Sequence, residues 1–521
     1  MTSFPWLSLI VFFPLIGAVL CFLVKAESSR WVALSFTVGN FFLSLPLWWL
    51  FDTSNAQMQF VERASWINSP PVNYSLGMDG ISFPLVLMTT FLMPFCVTVS
   101  WTAIEKRVPL FMSMLLVMET AMVGVFVALD FVLFYVFWEV MLIPMYLLIG
   151  IWGGPNRLYA AIKFFLYTLA GSLLMLVAIF VLYFQGGHTF DILELSRGTY
   201  GATLQMWLFL AFFAAFAVKV PMFPFHTWLP DAHVEAPTAG SVILASVLLK
   251  MGTYGFLRFT LPMLPDATVA FTKPMIALSI VAIIYGAYMA LAQTDIKKLI
   301  AYSSVSHMGF VTLGIFVLNI QGIEGAVMQM VNHGITTGGL FLCVGIIYER
   351  THSRQILDNT GLAGPMPRYA IFLMIFALSS LGLPGTNSFV GEFLVLAGTF
   401  VWSQFATAFA ALGVILAAAY MLWLMQRVVF GTPAAAHRDH LLDLNARETA
   451  TLVPLIVLVF VLGIFPNPLL SRMHASVTHL LNGPKAPAYA IVPPPASAST
   501  PATPTLAAAQ PISSSEQAAT R

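Results

Sequence analysis

The chain alternates long apolar stretches with short polar joints, and nearly every stretch has the length a bilayer requires. A spanning helix needs about 20 mostly apolar residues. Such stretches lie near 4–24, 31–51, 79–101, 108–128, 131–151, 159–184, 204–220, 239–261, 270–291, 298–318, 325–347, 370–402, 406–428 and 450–470. They predict an all-α polytopic membrane protein with about 14 transmembrane helices. Two stretches interrupt their own pattern. The 370–402 run is too long for one simple span and contains Gly382-Leu383-Pro384-Gly385, while 204–220 runs into Pro221 and Pro224. Helices seven and twelve are therefore read as broken. Met1 to Leu23 lacks a charged leader and continues into further spans, so it reads as a first helix and not a cleaved signal peptide. Residues 484–521 are rich in Ala, Pro, Ser and Thr, a composition that cannot build a core, and are expected to be a disordered tail.

Composition supports a lipid environment. Only 9% of the 521 residues are charged and 59% are hydrophobic, against about 25% charged in a soluble domain. A net charge of +1 argues against nucleic acid as a partner. Cys21, Cys96 and Cys343 are far apart within apolar runs and form no metal or iron–sulfur spacing. Basic residues divide unequally between alternate joints. One face collects Lys25, Arg30, Lys106, Arg107, Arg157, Lys297, Lys298, Arg350, Arg354, Arg368, Arg427, Arg438 and Arg447; the other collects Arg63, Arg197, Arg258 and Lys273. This asymmetry places the rich face in the cytoplasm and both termini outside.

Several charges fall where lipid forbids them. Glu139, Lys250 and Glu392 lie inside apolar helices, Lys219 precedes Pro221 by two residues, and His307 and His333 are mid-span. Each mid-membrane charge costs about 2.5–3.5 kcal/mol even on the milder insertion scale. Glu119 and Asp130 are weaker members of the set, and Lys163 is close enough to a helix end to snorkel. One reading is a group of ion pairs that hold helices together, but buried pairs are seldom net stabilising. The alternative is a hydrophilic file at the membrane midplane that passes protons through groups able to gain and lose them. Glu139 and Lys219 would form its buried ion pair, worth about 4 kcal/mol at about 4 Å and an effective dielectric of 20. Two broken helices, each with an ionisable residue near its break, are a sequence sign of a transport site.

A short internal match, Thr168-Leu-Ala-Gly171-Ser-Leu-Leu with Ile335-Thr-Thr-Gly338-Gly-Leu-Phe, suggests two inverted five-helix repeats. The expected organisation is helices one to three in 1–107, a first repeat in 108–262, a second in 263–430, a helix-fourteen region in 431–483, and the tail. His226, Asp231 and His233 invite a metal reading, but they fit no zinc spacing. Pro221, Pro224, Pro230 and Pro237 instead suggest a stiff connector whose polar groups satisfy local backbone.

Three motifs carry a resemblance: Phe225-His226-Thr-Trp228-Leu-Pro-Asp231-Ala-His233, Asp295-Ile-Lys-Lys-Leu-Ile-Ala-Tyr-Ser-Ser-Val-Ser-His307-Met-Gly, and Gly77-Met-Asp79-Gly. Together they resemble the antiporter-like membrane subunits of respiratory complex I, the NADH-quinone oxidoreductase, over about residues 4–470. The resemblance implies a proton path through Glu139, Lys219, Lys250, His307, His333 and Glu392. Other antiporter-like subunits typically carry Lys in helix twelve, where this chain has Glu392. It also implies neighbouring antiporter-like membrane-arm subunits and lipids as partners. The peripheral redox arm would hold FMN and iron–sulfur clusters and deliver electrons to quinone, with no cofactor in this chain. The alternative is a subunit of a multisubunit sodium/proton antiporter.

Overall fold

A computed structural model describes residues 4–432 and 441–482. Thirteen helices among them are long and apolar enough to cross a membrane. They are α1 (Trp6–Leu23), α2 (Ala26–Leu50), α3 (Phe83–Ala103), α4 (Val108–Val127), α5 (Phe131–Trp152), α6 (Arg157–Gln185), α7a (Ala202–Lys219), α8 (Thr238–Met263), α9 (Pro265–Leu291), α10 (Ile296–Phe316), α11 (Ile320–Thr351), α13 (Gln404–Val428) and α14 (Ala446–Ile464). A further crossing is split into α12a (Pro367–Ser380) and α12b (Asn387–Trp402). Every predicted span is present. The predicted tail and Arg438 lie outside the described residues.

Burial locates the core. The most apolar windows of α8 and α11 are 100% buried and that of α10 is 94% buried, whereas α2 and α14 bury 28% of theirs. Helices α8, α10 and α11 thus form the interior, and α6 turns Leu158, Ile162, Leu166 and Leu173 outward as an apolar rim.

Both breaks fall where the sequence put them. α12a ends at Ser380 and α12b begins at Asn387; Gly382 and Gly385 between them have φ of +79° and +93°, which glycine alone adopts easily. The freed groups are met by α11 and by the break's own side chains. Asn332 Nδ2 donates to the Asn387 carbonyl (2.6 Å), and Ser379 and Thr336 hydroxyls donate to Asn387 Oδ1 (2.6 and 3.1 Å). α7a ends at Lys219, and the Trp228 indole donates to the Val218 carbonyl at 2.8 Å. The presumed connector contains a helix of its own, α7b (Trp228–Glu235). Pro230 is tolerated there because it occupies the first turn, where backbone N–H groups have no helical partner.

Two features depart from the expectation. A β-hairpin, β1 (Gln59–Ile67) and β2 (Val72–Met78), joins α2 to α3, so the predicted third span starts at Phe83 and Asp79 precedes it. An amphipathic helix, α15 (Asn467–Asn482), follows α14.

Candidate functional site

The site is built from irregular helices. α8 contains two π-helical segments, Leu244–Leu248 and Phe256–Thr260, a form that recurs at functional positions. Lys250 follows the first and is fully buried. Its Nζ donates to the Ala245 carbonyl (2.5 Å) and lies in hydrogen-bond contact with His333 Nδ1 on α11 (2.7 Å). His333 Nε2 has no partner among the described residues. The His333 and His307 rings are 5.7 Å apart between centroids. His307, on α10, directs Nδ1 to Glu392 Oε1 at 2.9 Å. Its Nε2 faces the Ser380 and Tyr420 hydroxyls, each at 3.3 Å. The Glu392 oxygen also accepts from Gln329 Nε2 at 2.9 Å. Lys250, His333, His307 and Glu392 therefore form one buried series across α8, α11, α10 and α12b.

Lys219 is buried at the carboxyl end of α7a, where the helix dipole favours a cation. Its Nζ makes no hydrogen bond among the described residues. It rests over the rings of Trp138 and Phe164, at 5.3 and 5.7 Å from their centroids. Gly252, two residues beyond Lys250, brings α8 against this end of α7a: a Cβ there would lie 2.8 Å from the Phe216 carbonyl oxygen.

Glu139 is not bonded to Lys219, contrary to the expected close pair. Its Oε1 has no partner among the described residues, its carboxylate bonds Tyr135, and it acts on Lys219 through its field. The reason lies in α5. Pro144 cannot donate to the Val140 carbonyl, and regular helix is interrupted at Met141, two residues after Glu139. Glu139 is half-buried at an edge it shares with exposed Val136, Val140 and Ile143.

Other expectations also change. Lys163 does not snorkel; its Nζ binds Asp231 of α7b at 2.7 Å. Glu119 is buried against Asn40 (2.7 Å). Asp130 caps α5 through the Val132 and Leu133 amides (2.9 and 3.3 Å). Both lie apart from the series. Lys297 is not at a solvated interface: it is buried, with Nζ on the Ala236 carbonyl at 2.5 Å. Sequence reasoning passed over His233. It is fully buried, neither ring nitrogen has a partner among the described residues, and it stacks on Phe341 with ring centroids 4.6 Å apart. Lys297 and Lys250 are the charged groups acting on it. Glu235, Lys297, Glu349, His352 and Arg354 line a cavity of about 520 Å³ at this end of α7b, α8 and α11. The signal for His233 was its motif, read as a proline-stiffened connector.

Residues 128–418 match the family described as NADH:quinone oxidoreductase/Mrp antiporter, transmembrane. The chain is 51% identical to NADH-quinone oxidoreductase subunit M of Rhodobacter capsulatus, over 91% of this chain and 96% of that one. The chain belongs to the subunit M family. It is also similar to NADH-ubiquinone oxidoreductase chain 4 of Arabidopsis thaliana, at 46% identity over 91% of this chain and 97% of that one. A chain in the structure of respiratory complex I from Thermus thermophilus with bound NADH superposes with a TM-score of 0.84 at 32% identity, covering 92% of this chain and all of that one. An Mrp complex chain from Dietzia shares the fold, with a TM-score of 0.80 at 22% identity, and this chain covers 52% of it. As a subunit M family member, the chain is a multi-pass membrane protein.

Proposed function

We propose that this chain is a proton-translocating membrane-arm subunit of an NADH:quinone oxidoreductase. It would itself be free of redox centres and be driven by chemistry in partner subunits that hold FMN, iron–sulfur clusters and the quinone site. The observation that carries the reading is the buried series Lys250, His333, His307 and Glu392, with a 2.7 Å contact at one end and a 2.9 Å contact at the other. Each member exchanges protons within its chemistry, and so much buried polarity inside a membrane protein costs too much to be incidental.

Entry runs from the Lys297 cavity through His233 to Lys250, then sideways through His333 and His307 to Glu392. Glu139 and Lys219 set the charge beside the entry. With Lys219 protonated and Glu139 ionised, the neighbourhood of Lys250 is held in one electrostatic state; removal of the Glu139 charge releases it. Moving one charge against 100 mV costs about 2.3 kcal/mol, within reach of such a switch. The Glu139 edge is apolar apart from that carboxylate, so an adjacent membrane-arm subunit covers it and biases its charge. The discontinuous α7 and α12 hold the fourth place in α4–α8 and α9–α13, in accord with the inverted-repeat reading and its 108–262 and 263–430 boundaries. The cavity end faces the cytoplasm, with both termini periplasmic.

Lys250→Ala tests the reading. The complex assembles and NADH-driven proton uptake by membrane vesicles falls by about a hundredfold, the scale of a lost acid–base group. Near-normal uptake removes Lys250 from the path. Copurification of flavin and iron–sulfur absorbance with the chain separates this function from that of a standalone cation/proton antiporter.

A further inference from the structure

The polar column of α8 continues beyond Lys250. Tyr254 and Arg258 follow at i+4 and i+8, on the same helical face. The buried Tyr254 hydroxyl donates to the Phe126 carbonyl (2.9 Å) and accepts from Arg258 Nε (3.1 Å). Arg258 Nη2 donates to Asp79 Oδ1 at 2.6 Å, and the two side chains are 11% and 5% exposed. The same carboxylate oxygen takes the Ile81 and Ser82 amides at 3.0 and 3.1 Å, at the start of α3. The guanidinium thus lies between the Tyr254 hydroxyl and the Asp79 carboxylate. α15 covers this end: the Gly80 amide donates to Ser476 Oγ at 2.9 Å, and a Cβ on Gly80 would collide with the Arg472 carbonyl.

Eight residues of helix place Arg258 about 12 Å along α8 from Lys250. Thr238, at the opposite end of α8, lines the Lys297 cavity, so Arg258 faces the other side of the membrane. Lys250 thus has His333 in hydrogen-bond contact, while Tyr254 and Arg258 lie one and two turns further along the same helix.

A hopping proton needs groups that accept on one side and release on the other. A guanidinium has five N–H donors and no acceptor, and it does not deprotonate in proteins. Fixed positive charge in a narrow polar passage also repels incoming cations. We propose that Arg258, fastened by Asp79, closes the α8 column beneath Lys250 and so commits the Lys250 proton sideways to His333. This rests on the relay described above, but its test does not.

The measurement is passive proton entry into vesicles holding the whole complex, with NADH absent and a potassium diffusion potential imposed. Arg258→His puts a group that both accepts and donates where a donor-only group stood. Passive entry is expected to rise several-fold, and protons pumped per NADH oxidised to fall. Arg258→Lys stays a charged donor beside Asp79 and is expected to match the parent. Should Arg258→His fail to assemble, Arg258→Gln with Asp79→Asn replaces it. That pair leaves no unpaired charge and keeps a capping side chain at 79, and it too is expected to leak. Parental entry in the assembled His or Gln/Asn variant overturns the proposal. Equal leak in the Lys and His variants also overturns it, because shape and not donor-only chemistry would then be closing the column. Since passive entry is measured without turnover, that result stands apart from the Lys250→Ala experiment.

Discussion

The two halves of the buried polar file are built differently. From Lys250 to Glu392, hydrogen bonds tie Lys250 to His333 and His307 to Glu392, the two imidazoles meet at 5.7 Å between centroids, and Gln329 adds a second donor to the carboxylate. Glu139 and Lys219 are not tied to each other: the lysine nitrogen rests on aromatic faces, and the carboxylate bonds Tyr135 of its own helix while its other oxygen has no partner among the described residues. A hydrogen bond fixes position and distance, whereas a field through space fixes neither. The first half is a wire already laid. The second is a place where charge can be shifted by whatever covers the α5 edge, without a Glu139–Lys219 bond being broken first.

Stability separates the halves where activity does not. Glu139→Gln and Lys219→Ala should abolish proton pumping and quinone-linked turnover while the complex assembles. Glu139→Gln should leave thermal stability within about 0.5 kcal/mol of the parent, because the amide oxygen still accepts from Tyr135. Glu392→Gln should also abolish pumping, and in addition cost about 1–3 kcal/mol, because His307 loses its charged acceptor. Vesicle proton uptake together with thermal unfolding of the complex checks both. A large stability loss in Glu139→Gln would show a bond at that residue and end the contrast.

The wire half was more legible in sequence than the switch half. Lys250, His307, His333 and Glu392 stand out because hydropathy alone makes them anomalous, and the breaks announce themselves as Gly382-Leu383-Pro384-Gly385 and Pro221 with Pro224. What sits beside Lys219 could not be read that way. Trp138 and Phe164 are ordinary apolar residues of two other helices until packing turns their rings toward one nitrogen. Arg258 and Asp79 are 179 positions apart in the chain, and Asp79 looked like the start of a span. The hairpin hid for another reason. Most of β1 is exposed, so it shows no inward–outward alternation, and its register shifts between Gln59 and Glu62. The irregularity after Glu139 was present in sequence as Pro144, inside a stretch otherwise long and apolar enough to pass as one helix.

The aromatic seat of Lys219 gives a graded test of the switch half. A ring face supports a nearby cation by about 0.5–2 kcal/mol. Trp138→Leu removes one of two such faces and leaves Glu139 and Lys219 in place. Charged Lys219 then becomes less favoured, so the alkaline limb of the pumping profile should move to lower pH by about 0.4–1.5 units. Pumping at the optimum should stay above that of Lys219→Ala. A profile unchanged in position would mean that the rings only fill space.

The smallest effect should come from the Lys163–Asp231 pair, which looks at first like a third element of the file. It joins α6 to α7b at 2.7 Å, but its side chains are 19% and 32% exposed. A pair so placed contributes about 0–1 kcal/mol, and neither partner bonds to a member of the buried series. Lys163→Ala with Asp231→Ala should therefore keep pumping near the parental rate and lower thermal stability by no more than that amount. If the double variant stopped pumping, the switch would extend along α7b to the exposed flank. The contrast would then lie between α7 as a whole and the hydrogen-bonded wire, not between two pairs of residues.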